Sequence, residues 1–218
     1  MRAVDLTHPM ATGMPRMDGI EEPLFEDVAT VAKDGYAMSR YRFWNHTGTH
    51  VDAPSHQVLD GATLDEIPLE RLVTAATVID VRGRAAGAIP PHELEPSLDA
   101  VEPGDAVLFC SGNDANWGTA AYWHGWSYPD GEAARALLAR GAVAVGFDGP
   151  SADPVESTTY DLHRIWLEAG ALIIENLKSL DQLPRRCQLV IAPLRVAGAN
   201  GAPARVFALV PDAARHAG

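Results

Sequence analysis

Asp130-Gly131-Glu132-Ala133-Ala134-Arg135-Ala136-Leu137-Leu138-Ala139-Arg140-Gly141-Ala142-Val143-Ala144-Val145-Gly146-Phe147 reads as a helix that runs straight into a strand. Its apolar residues first recur at helical spacing. Gly141 then supplies a stop, and residues 142–147 form a short apolar run bounded by Gly and charge, the pattern of a central strand. The same order returns from about Ser157 to Ala169, stopped by Gly170 and followed by Ala171-Leu172-Ile173-Ile174. A helix followed within two residues by a buried strand, twice over, is the signal of βα units. Ala106-Val107-Leu108-Phe109-Cys110 and Thr77-Val78-Ile79-Asp80-Val81 have the same character, and Arg40-Tyr41-Arg42-Phe43-Trp44 favours a strand through its aromatic residues. The fold class is α/β, with a mixed sheet, flanking helices and an N-terminal third richer in strands and loops. No repeat or Ser/Gly linker divides the chain, so residues 1–218 are expected to form a single domain.

The chain carries 17 Lys and Arg against 29 Asp and Glu, a formal charge of −12. Phosphate backbones are bound by clustered cations, and none is present, so nucleic acid is excluded as a partner. The longest apolar stretches fall far short of the roughly 20 residues of a membrane helix. The opening Met1-Arg2-Ala3-Val4-Asp5-Leu6 lacks the apolar segment of a secretory signal, which predicts a cytoplasmic location. Cys110 and Cys187 belong to no CxxC pair and are expected to be buried or idle thiols.

Three of the eight histidines fall within eleven residues, His46-Thr47-Gly48-Thr49-His50-Val51-Asp52-Ala53-Pro54-Ser55-His56. Thr47, Gly48, Thr49 and Val51 are poor helix formers and Pro54 bars a helix, so an extended chain is expected. On a strand, positions 46, 48, 50 and 52 share a face, with Gly48 leaving space between two imidazoles and a carboxylate. Two imidazoles and one carboxylate suit Zn, Mn or Fe(II) and leave positions free for water, as a catalytic metal requires. His56 lies outside the alternation; of fourth ligand and proton carrier, the second is favoured. Glu175 ends an apolar strand, where a carboxylate needs a cation, an Arg or a strand terminus. His163 sits on the preceding helix, and together the two could reach the same metal.

Trp117, Trp123 and Trp126 crowd into ten residues flanked by Gly, Asn and Pro, while Phe43 and Trp44 immediately precede the histidine segment. These five are the candidate walls of a pocket for an aromatic or cyclic small molecule; for the Trp-rich stretch, a subunit interface or a loop folded onto the protein's own core are the other readings. His124 is expected to be a surface or hydrogen-bonding residue, and His8, His92 and His216 structural or exposed.

The pattern His-x-Gly-Thr-His-x-Asp-x-Pro-x-His from His46 to His56 resembles that of the metal-dependent cyclase superfamily, the family of bacterial kynurenine formamidase and isatin hydrolase. The opening Val4-Asp5-Leu6-Thr7-His8-Pro9-Met10 is similar as well. So are Phe147-Asp148-Gly149-Pro150-Ser151, His163, Glu175-Asn176-Leu177 and Ala192-Pro193-Leu194-Arg195, in the family's order across nearly the whole chain. The resemblance implies a swivelling β/β/α domain, usually a homodimer or homotetramer in which a neighbouring subunit helps close the pocket. It implies one or two divalent ions per subunit, Zn2+ or Mn2+: His46, His50 and Asp52 on the first, with Asp52 bridging to a second completed by His163 and Glu175. His56 would be the general acid/base. The implied activity is hydrolysis of a formamide or cyclic amide through a metal-activated water; the alternative is a cyclase/dehydratase closing a ring in an aromatic polyketide pathway. Thr49, where formamidases often carry Ala, and Gly149, where many relatives carry Thr, leave the substrate open.

Overall fold

The computed structural model describes residues 1–212, so His216 lies outside the described residues. In chain order the strands are β1 (Arg2–Asp5), β2 (Leu24–Ala29), β3 (Met38–Arg42), β4 (His50–Asp52), β5 (Val73–Asp80), β6 (Gly87–Ile89), β7 (Ala106–Cys110), β8 (Ser127–Pro129), β9 (Ala144–Phe147), β10 (Leu172–Glu175), β11 (Arg186–Pro193) and β12 (Gly201–Val210). The helices are α1 (Val31–Asp34), α2 (Leu69–Leu72), α3 (Pro91–Leu98), α4 (Gly131–Ala139) and α5 (Asp161–Glu168). The apolar runs of the sequence are neighbouring parallel strands, in the order β5, β7, β9, β10.

Antiparallel strands finish the sheet, which makes it mixed. β11 lies against β5, β12 against β11, and β4 against β10. β12 is long enough to serve two strands: residues 207–210 pair with β1 and residues 201–203 with β4. Because β4 bonds to both β10 and β12, seven strands close into a ring of hydrogen-bonded neighbours. Closure leaves those seven without a free edge along the paired segments.

Strand parity separates two cores. Ala106, Leu108 and Cys110 of β7, Leu172 and Ile174 of β10 and Val51 of β4 point into the ring with Leu189 and Val206. Val107 and Phe109 of β7, Val145 and Phe147 of β9 and Ile173 of β10 point outward, where α3, α4 and α5 cover them with Leu94, Leu137 and Trp166. Each large side chain buried this way contributes about 1.5–3 kcal/mol. The outward parity of β4 and β10 also sets His50, Asp52 and Glu175 on the helix-covered face of the ring.

Asp130 caps α4 by accepting a 2.8 Å hydrogen bond from the Ala133 N–H, and Gly141 ends it at φ +90°. Three expectations need correction. The second helix begins at Asp161 rather than near Ser157, because Tyr160 is held in the left-handed region at φ +52° and the chain before it turns. The strand expected over 40–44 is β3, which pairs only with β2 in a separate ribbon. The histidine segment is extended only from His50, since Gly48 sits at φ +65° and breaks the alternation before it. Cys110 and Cys187 are free and buried, as expected. No helix among the described residues is long and apolar enough to cross a membrane.

Candidate active site

The site is assembled where β4 and β10 run side by side. Their register sets Glu175 directly across from His50 and Ile173 across from Asp52, so the two carboxylates and the imidazole share one outer face. His163 arrives from the first turn of α5, with its Nε2 3.2 Å from Glu175 Oε1 and 3.8 Å from Asp52 Oδ2. His46 joins from the loop before β4 despite the broken alternation, and its Nδ1 lies 2.6 Å from Asp52 Oδ1. Gly201, opposite Asp52 on β12, makes room: a Cβ there would stand 2.5 Å from His46 Cε1.

Each imidazole is anchored on its outer nitrogen by an oxygen acceptor. His50 Nδ1 donates to the Gly48 carbonyl at 2.8 Å, His163 Nδ1 to Asp153 Oδ2 at 2.6 Å and His46 Nε2 to Asn200 Oδ1 at 3.1 Å. The inner nitrogens therefore converge on carboxylate oxygens, with His50 Nε2 3.4 Å from Asp52 Oδ1 and 3.3 Å from Glu175 Oε2. Glu175 Oε1 also accepts the Ala152 N–H. Asp52 Oδ2 is buried without a hydrogen-bond partner. Lone pairs of three imidazoles and two carboxylates aimed at one small volume repel unless a cation or protons sit among them.

Without a metal, protons do so. Burial alone would depress the basicity of His50 and His163. The neighbouring carboxylates overcome it, raising His50 well above 6.5 through Asp52 and His163 to about 10 through Asp153 and Glu175. Burial would likewise raise Asp52 and Glu175, but His50 and His46 hold the first far below the carboxylate range and His163 and His50 depress the second. A divalent cation replaces such protons, and outer-nitrogen anchors of this kind are what orient imidazole ligands. The orphaned Asp52 oxygen and this donor set fit a divalent metal ion. Donor atoms of His50, Asp52 and Glu175 lie within 4.8 Å of one another, as do those of His46, Asp52 and His56.

His56 is half-buried, with its ring 4.2 Å from that of His46 and 5.9 Å from that of His163. Burial lowers its pKa from 6.5, with the Asp52 charge opposing, so it is neutral at pH 7.

Above the cluster opens a cavity of about 460 Å3, whose walls include Trp44, Trp123 and Tyr160. Phe43, Trp117 and Trp126 do not line it, and their expected place in the pocket is corrected. Phe43 packs towards Phe25, Trp117 stacks on the buried His8 at 3.9 Å, and Trp126 lies buried with its indole donating to the Ser151 carbonyl. Trp126 fills the space over Gly149, where a Cβ would come within 2.2 Å of its ring. His124 is exposed and faces Glu156 at 3.2 Å, and His92 is exposed. Sequence reasoning missed Asp153, Asn200 and Tyr160. Only Asp153 left a trace, as an acid in the loop before a helix that lacks a cap of its own: it accepts from the Leu162 and His163 N–H groups.

Residues 4–154 match the Cyclase family. A kynurenine formamidase from Salinibacter ruber is 35% identical over 180 residues, covering 80% of this chain and 81% of that protein. Isatin hydrolase A from Ralstonia solanacearum superposes with a TM-score of 0.87 at 26% identity, over 96% of this chain and 92% of its own. A solved structure described as a "potential metal-dependent hydrolase with cyclase activity" matches at TM-score 0.79 and 30% identity, over 96% and 99% of the two chains.

Proposed function

Because this chain belongs to the Cyclase family, we propose that it is a metal-dependent hydrolase cleaving a formamide or cyclic amide of an aromatic compound. The observation that carries the reading is the unpartnered Asp52 Oδ2, buried among three imidazoles and a second carboxylate at the foot of an aromatic-walled cavity. In this reading His46, His50 and Asp52, with His163 and Glu175, hold one or two ions of Zn2+ or Mn2+. When bound, such an ion supplies Lewis acidity towards water and a carbonyl oxygen.

The chain's own residues do the rest. Trp44, Trp123 and Tyr160 supply flat apolar surface for the ring of the substrate and shield the reacting carbonyl from bulk solvent. His56, neutral and beside the ligand cluster, takes the proton of the attacking water as the C–O bond forms. It returns that proton to the amide nitrogen as the C–N bond breaks, so the nitrogen leaves as an amine rather than an anion. Asp153, Asn200 and the Gly48 carbonyl keep the three imidazoles oriented throughout.

The test is turnover by protein loaded with Zn2+ or Mn2+ across formamides, lactams and esters, including N-formylkynurenine and isatin. Chelator-sensitive cleavage of an aromatic amide is expected. Inactivity on every amide, with ring closure of a polyketide substrate instead, would sink this reading in favour of a cyclase.

We also propose a homodimer or homotetramer. The β2–β3 ribbon pairs with no other strand among the described residues and exposes Val28, Tyr36, Met38 and Tyr41, while two-stranded ribbons are marginal alone. Pro23 and Trp44, which flank the ribbon at the end away from its turn, line the cavity, so a partner covering the ribbon would border the site. Sedimentation equilibrium should return a multiple of the chain mass; a monomer at micromolar concentration would refute the assembly.

A further inference from the structure

The Gly48 carbonyl accepts two hydrogen bonds, one from His50 Nδ1 at 2.8 Å and one from Asn176 Nδ2 at 2.9 Å. Asn176 follows Glu175 at the end of β10 and sits in the left-handed region at φ +58°, which Asn tolerates better than most residues. Its backbone is tied on both sides: its N–H donates to the Gly149 carbonyl, and its carbonyl accepts the Thr49 hydroxyl at 2.6 Å. Its amide is tied as well, because the hydroxyl of Tyr122 donates to Asn176 Oδ1 at 2.8 Å.

This chain of bonds has only one self-consistent orientation. The Gly48 carbonyl can only accept, so the Asn176 amide must turn its NH2 towards it and its oxygen towards Tyr122. The same carbonyl holds a His50 proton on Nδ1, so that when a cation displaces the proton on Nε2 it is the Nε2 lone pair that faces Asp52 and Glu175. Tyr122 is fully buried, and burial, with the Asp148 and Glu175 charges, raises its pKa well above 10, so it remains a donor. Gly48 is itself constrained, for its φ of +65° lies in the left-handed region that side-chain-bearing residues adopt only with strain.

We propose that Tyr122 and Asn176 are positioning residues that act through the Gly48 carbonyl to fix the tautomer and aim of His50. The inference rests on the metal-hydrolase reading. Tyr122 belongs to the same turn as Trp123, so the cavity wall and the ligand cluster are joined through one hydroxyl.

Calorimetric titration of the full-length chain with Mn2+ or Zn2+ tests it. Tyr122→Phe should weaken metal affinity by about 10–100-fold, the range found for partners that orient metal-bound imidazoles. Asn176→Ala should do at least as much. The double variant should be no weaker than Asn176→Ala alone, since both act along one path. Thr77→Val removes a buried hydroxyl bonded to Asp105 on the far part of the sheet, and should lower Tm while leaving affinity unchanged. Unaltered affinity in a folded Tyr122→Phe variant, or additive losses in the double variant, would overturn the inference alone. A wild-type chain that binds neither ion would overturn the metal reading and this inference with it.

Discussion

Replacing His56 by Ala should lower kcat by about 10²–10⁴-fold, the usual contribution of a positioned general acid/base, with metal content per chain unchanged. The expectation follows from where the ring sits. It lies against His46 and near His163 but forms no hydrogen bond with either carboxylate, while every other imidazole of the cluster is anchored on one nitrogen and points the other inward. A half-buried imidazole kept neutral by desolvation is suited to accept a proton from water. The competing role is that of a ligand, since its donor atom is within reach of those of His46 and Asp52. Elemental analysis separates the two: loss of metal along with activity assigns His56 to the ion, and retained turnover removes it from the reaction.

The second large effect concerns Asp52→Asn, which keeps the shape of the side chain and deletes its charge. Asp52 faces His46, His50 and His163 at once and carries the orphaned oxygen, so no other residue occupies the same centre. Metal affinity should fall by more than about 100-fold, beyond the loss typical of outer partners of a ligand. Turnover should fall to background. Thermal stability gives an independent reading. In the wild type, metal at 100 times its Kd adds about 2.7 kcal/mol, or roughly 5–10 °C in Tm for a chain of this length. The variant should show no such rise. An Asp52→Asn protein that is stabilised by metal and active like the wild type would remove this carboxylate from the centre of the site.

The parallel half of the sheet was legible because burial on both faces writes itself into sequence as short apolar runs, as in β7, β9 and β10. The closing half was not. β11 alternates buried and half-exposed positions, and β12 begins with Gly201 and contains Pro203, residues that read as loop until a partner strand is supplied. Within the site, His46, His50 and Asp52 were readable from their spacing, although the strand geometry assumed for it fails at Gly48. His163 and Glu175 stand out in the sequence only as a histidine on a helix and a carboxylate ending the apolar strand after it, and α5 and β10 bring them within 3.2 Å. Asn200, Asn176 and Tyr122 act across 54 to 154 positions of chain, and no local pattern encodes such distances. The aromatic cluster misled for a related reason. Trp123, Trp126 and Trp117 are neighbours in sequence, yet a turn at Ala120–Trp123 sends one to the cavity and the others into the protein's own packing.

β4 is only three residues long, yet hydrogen-bonded strands flank it on both sides. The wall of the ring and the chemical centre thus share one short piece of backbone, so neither can loosen alone. One side of the cavity's rim is built otherwise, from the excursion Pro15–Pro23 between β1 and β2, which contributes no strand to the ring. Selection can therefore redraw what the enzyme admits by remodelling that excursion while the ion-holding scaffold stays untouched, whereas the turn bearing Trp123 is tied to the centre through Tyr122.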